Sequence, residues 1–73
     1  MSHKVDEDGC KFEFTADDNG IMMVVDAWVE KLPGQTLEDK TEAAAKAVSK
    51  VLGREVKLQC RYASGSDYRW IVV

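Results

Sequence analysis

The sequence predicts an α+β domain, ββαββ in order, with a four-stranded antiparallel sheet and one helix packed on one face. Three observations lead there. Two stretches with strand character precede a Pro-Gly break, one amphipathic segment of helical period follows it, and two further strand-like stretches close the chain. At 73 residues there is room for a single domain over 1–73, and a domain this small buries only about 60% of the surface its unfolded chain exposes.

Taken in order, residues 1–10 read as a flexible N-terminal segment ahead of the first strand. Residues 11–15 alternate, Phe12 and Phe14 on one side and Lys11, Glu13 and Thr15 on the other, which is the period of a half-buried strand. Ala16-Asp17-Asp18-Asn19-Gly20 supplies turn chemistry, and residues 21–31, rich in β-branched and aromatic side chains, complete an antiparallel hairpin. Pro33-Gly34 breaks the strand. Thr36 and Asp39 then form a capping box ahead of a helix over Leu37–Leu52, whose apolar residues Leu37, Ala44, Val48, Val51 and Leu52 share one side, with Gly53 as its C-terminal stop. Early Glu38, Asp39 and Glu42 and late Lys46 and Lys50 both suit the helix dipole. A third strand alternates Val56, Leu58, Cys60 and Tyr62 with polar neighbours, Ser64-Gly65-Ser66-Asp67 turns the chain, and residues 68–73 form the fourth strand.

The composition is that of a folding chain: 45% hydrophobic and 32% charged residues leave no tract too polar to pack. A net charge of −3 disfavours direct nucleic-acid binding, which draws its non-specific affinity from an excess of cations. The carboxylates cluster as Asp6-Glu7-Asp8 and Asp17-Asp18; such clusters either keep a surface solvated or face a basic partner. Cys10 and Cys60 are the only cysteines and no apolar leader precedes them, so a cytoplasmic, reducing setting with free thiols is expected. No apolar run approaches the roughly 20 residues that span a membrane, so no membrane partner is expected. No metal or other cofactor is implied, because Cys10, Cys60 and His3 fall one ligand short of a structural zinc site.

Catalysis finds little support. His3 is the sole histidine, with nothing to fix it near a nucleophile; Gly34, Gly53 and Gly65 are isolated; and Asp17 with Asp18 are neighbours in a turn without a pocket to split their pKa values. The chain is expected to bind rather than to catalyse.

The second sheet face is the main functional signal. A turn centred on Gly65-Ser66 pairs Ala63 with Tyr68 and Arg61 with Trp70, which sets Leu58, Cys60, Tyr62, Arg69, Ile71 and Val73 under the helix. The opposite face then gathers Gln59, Arg61, Tyr68, Trp70 and Val72 with Met22, Val24, Asp26, Trp28 and Glu30 of the second strand. Exposed together, these exceed the apolar surface that a monomer leaves bare without a purpose, and Trp, Tyr and Arg are the usual interface anchors. The alternative is a one-residue register shift or bulge that turns Trp28 or Trp70 into the core. Three uses of an open face compete: homodimerisation through back-to-back sheets, docking on another protein with an acidic rim of Asp17, Asp18, Asp26 and Glu30, and stacking of single-stranded nucleic acid on Tyr68 and Trp70 beside Arg61, the last opposed by the net charge.

The arrangement of Thr41-Glu42-Ala43-Ala44-Ala45-Lys46-Ala47-Val48 between two hairpins, in a small acidic chain, resembles the single-domain inhibitors that phages encode against host defences, anti-CRISPR proteins in particular. The resemblance is one of architecture, size and acidity. It implies a stoichiometric inhibitor that docks on a CRISPR effector complex and blocks DNA access by bulk or by charge mimicry. Asp6, Glu7, Asp8, Asp17, Asp18 and Asp26 would then meet the Lys and Arg that otherwise hold phosphate.

Overall fold

Asp8 and Gly9 both adopt positive φ, 52° and 77°, so the chain reverses through a two-residue turn whose twist suits an antiparallel hairpin. This turn creates a strand where the sequence reading expected a flexible terminus. The computed structural model describes residues 2–18 and 20–73, with elements β1 (His3–Glu7), β2 (Cys10–Asp18), β3 (Met23–Val29), α1 (Leu37–Leu52), β4 (Leu58–Ser64) and β5 (Asp67–Val72). The class is α+β with one helix and an antiparallel sheet, but the sheet has five strands in the order β1-β2-β3-β5-β4 rather than four. Of the expected Asn19-Gly20 turn, Asn19 lies outside the described residues; Asp18 closes the other side, its Oδ1 accepting from the Gly20 amide at 2.8 Å.

The helix obeys its local signals. Thr36 accepts from the Asp39 amide while Asp39 accepts from the Thr36 amide, each at 3.1 Å, and Gly53 ends the helix in the left-handed region at φ 73°. Its buried side is Lys40, Ala43, Ala44, Ala47 and Val48, while Leu37, expected inside, is 46% exposed. The stripe is set by what it meets. Three alanines leave room for Phe12, Phe14, Tyr68 and Trp70, which rise from the sheet beneath them in one core with Val25, Ala27 and Val29.

The largest correction concerns β5. Pairing follows the expected turn through Ser64↔Asp67, Ala63↔Tyr68 and Tyr62↔Arg69, then shifts, so that Cys60 rather than Arg61 lies opposite Trp70 and Leu58 lies opposite Val72. Arg61 is the extra residue of a β-bulge. Leu58 and Cys60 therefore share the helix side with Tyr68, Trp70 and Val72, whereas Tyr62, Arg69 and Ile71 take the open side. Trp70 is fully buried and Tyr68 is 8% exposed, so neither stands on the open face where an unbulged ladder would place it.

Polar groups under the helix are paired. Trp70 Nε1 donates to Thr41 Oγ1 at 3.0 Å, and the buried Lys40 amine donates to the Tyr68 hydroxyl at 3.1 Å. The Tyr68 and Trp70 rings stack, 5.2 Å apart and 10° from parallel. A Trp buries about 150–250 Å2, which at ~25 cal/mol/Å2 makes Trp70 worth about 4–6 kcal/mol in transfer terms.

Candidate functional site

The open face is built by β3 and its neighbours. Because side chains alternate along a strand, burying Val25, Ala27 and Val29 obliges Val24, Asp26 and Trp28 to face away from the helix. Trp28, 47% exposed, lies between Glu13 of β2 and Asp67 of β5. One step along, Asp26 lies between Thr15 and Arg69, and Arg69 leads on to Tyr62, 57% exposed, on β4. A further step gives Asp17, Val24, Ile71 and Gln59, where Ile71 is buried although it stands apart from the main core.

The face therefore has aromatic anchors with charges between them. Arg69 Nε donates to Asp26 Oδ1 at 2.6 Å and its Nη2 to Oδ2 at 3.3 Å, a two-pronged pair that pushes the guanidinium pKa still higher through the hydrogen bond first and the Asp26 charge second. Two shallow concavities flank the line of aromatics. One, of about 670 Å3, is bordered by Asp26, Arg61, Tyr62, Asp67 and Arg69; the other, of about 330 Å3, lies beside Trp28 against Lys4, Asp6, Lys11 and Glu13.

The expected site residues thus divide. Trp28, Met22, Asp17, Asp26 and Arg61 are exposed, the first four on or beside the open face and Arg61 at the bulge on its rim. Tyr68 and Trp70 are core residues. Asp18 is occupied in closing its turn. Of the N-terminal carboxylates, Glu7 is bound by Lys50 at 2.5 Å and Asp8 by Lys46 at 3.3 Å, so they fasten the β1–β2 hairpin to the helix. Sequence reasoning missed Tyr62, Glu13 and Asp67. The signal for Tyr62 was its place opposite Arg69, a charged residue that would not choose the core side.

Burial leaves Cys10 a poor nucleophile. Cys10 is fully buried with its thiol pKa pushed up, by desolvation first and the Glu30 charge second, and Cys60 is half-buried; both are free thiols. Among the described residues no group of three or more His, Cys, Asp or Glu could hold a metal ion, and no helix is long and apolar enough to cross a membrane. Comparison of the chain with protein-family models, with curated proteins and with solved structures finds no match in any of the three.

Proposed function

We propose that this chain is a non-enzymatic protein-binding domain that acts as a stoichiometric inhibitor, docking through its open sheet face with Trp28 as the anchor. The observation that carries the reading is the half-exposed indole near one end of the central strand, on a sheet face that no described element of the chain covers. Trp with Tyr and Arg close by is the composition of an interface hot spot, and Glu13, Asp67 and the Asp26–Arg69 pair supply the polar surround. A protein fits better than a single-stranded nucleic acid, since Tyr68 and Trp70 stack on each other beneath the helix and offer no platform to a base.

The resemblance to phage inhibitors supports a partner that itself holds nucleic acid, a CRISPR effector complex being the class in view. Within that class, obstruction by bulk is favoured over charge mimicry. Mimicry needs unpaired carboxylates, whereas Glu7, Asp8 and Asp26 are ion-paired within the chain.

The test is retention of purified effector complexes on immobilised wild-type chain, Trp28→Ala and Tyr62→Ala, each checked for native circular dichroism, with DNA binding by the retained complex as readout. Wild type should lower DNA binding in proportion to its occupancy. Trp28→Ala should weaken retention about 30-fold or more, the loss of a hot spot of about 2 kcal/mol. Equal retention by folded Trp28→Ala would refute the open-face reading, and retention without loss of DNA binding would refute inhibition.

A further inference from the structure

The two edges of the sheet differ. β4 is interrupted by the Arg61 bulge, which breaks the regular row of backbone groups that a further strand would need. β1 is regular, pairing with β2 from His3↔Phe14 to Glu7↔Cys10 without a shift. Its outward-facing groups follow from the ladder. The Lys11 carbonyl accepts from the Glu30 amide at 2.9 Å and so turns toward β3, which leaves Cys10 and Phe12 bonding toward β1. His3, Val5 and Glu7 bond inward to these partners, and Lys4 and Asp6 present their N–H and C=O groups to the open edge.

Edge strands usually carry charge to repel additional strands. Here the charges have the opposite effect. The strand reads His3-Lys4-Val5-Asp6-Glu7, and in an antiparallel pairing of two copies about Val5, Lys4 of each faces Asp6 of the other. Those are also the residues whose backbone groups point outward, so side-chain attraction and main-chain bonding call for the same register. Within one chain Lys4 lies opposite Glu13, and Asp6 opposite Lys11. Across the join the open face would therefore run Glu13, Lys4, then Asp6 and Lys11 of the second copy, with sign alternating at every step.

We infer that β1 is a self-complementary edge through which two copies of this chain associate, joining their five-stranded sheets into one continuous sheet about a two-fold axis at Val5. The inference does not rest on the proposed inhibitor role. It also leaves both Trp28 faces open on the same side of the joined sheet, which back-to-back association would not.

Charge exchange tests it. Wild type should sediment at twice 8.2 kDa. Lys4→Glu brings a second carboxylate against Asp6 at both symmetric positions, Asp6→Lys brings a second amine against Lys4, and each variant alone should dimerise about tenfold or more weakly. Mixed in equal amounts, the two variants face each other only with opposite charges and should form a heterodimer near wild-type affinity, detected by mass with one partner tagged. Recovery on mixing separates a lost contact from a damaged hairpin, because each chain's internal pairs are the same alone and mixed. Wild type that stays at 8.2 kDa at millimolar concentration, or variants that dimerise as well alone as mixed, would overturn the inference.

Discussion

Trp28 and Trp70 meet opposite fates although β3 and β5, which carry them, are direct neighbours in the sheet. One indole is 47% exposed on the open face; the other is wholly enclosed and hydrogen-bonded to Thr41 beneath the helix. Residue type cannot account for the difference. What decides is register: Val25 lies opposite Trp70, so both face the helix, while Trp28 lies opposite Asp67, so both face away. The same side chain serves stability on one face and is available for recognition on the other.

The comparison breaks most visibly on substitution. Trp70→Ala should cost about 3–5 kcal/mol, since a large cavity opens under three alanines that cannot close it, whereas Trp28→Ala, whose indole is 47% exposed, should cost about half as much or less. Urea unfolding of both variants measures this, and similar losses would mean that the two environments are not distinct. Next in size is Tyr68→Phe, which strands the buried Lys40 amine without its partner and should cost about 1–3 kcal/mol. Adding Lys40→Met removes the stranded group as well, so the double variant should recover most of that loss in the same assay.

A smaller effect is expected at high pH. Because burial raises the Cys10 thiol pKa, the unfolded chain releases its proton first, so stability from this group is full below the ordinary thiol value of 9.0 and falls as pH rises toward the folded value. Midpoints of unfolding should drop above pH 9.0 in wild type, and less steeply in Cys10→Ala. On the open face, Asp26→Asn should cost under about 1 kcal/mol, because both partners of its ion pair are half-exposed. The smallest change should come from deleting Arg61. Without the extra residue Cys60 and Tyr62 become consecutive and keep opposite faces, so Trp70, held opposite Val25, should stay enclosed, and a red shift in its fluorescence would count against the β3–β5 register as the cause of its burial.

These contrasts also mark how far the sequence alone reached. The helix was legible from end to end because its cap, dipole charges and terminal glycine are local signals that tertiary packing did not oppose. The face assignment of β3 was legible for the same reason. β1 was hidden by its charged residues Lys4, Asp6 and Glu7, which suggest a solvated terminus, although Asp8-Gly9 is a strong two-residue turn signal and pointed to a hairpin. The orientation of β5 was lost to a single bulged residue, since carrying the alternation of Leu58 and Cys60 on to Tyr62 without a break puts Tyr62 under the helix and, through its pairing with Arg69, turns the whole of β5 to the wrong face. Its own pattern held the answer: Asp67 and Arg69 alternate with Tyr68, Trp70 and Val72, and desolvating an arginine to expose a tryptophan is the costlier arrangement. Of the candidate site, Trp28, Asp26 and Met22 followed from β3 alone, while Tyr62 was hidden by its apparent alternation with Cys60 and signalled only by its pairing with Arg69.

Collisional quenching by acrylamide in two single-tryptophan variants, Trp28→Phe and Trp70→Phe, is the most direct test of a sheet covered on one face only. Trp70, alone in the first variant, should be shielded and emit to the blue, while Trp28, alone in the second, should be readily quenched until a bound partner protects it. Equal quenching of the two indoles in folded protein would contradict a one-sided sheet.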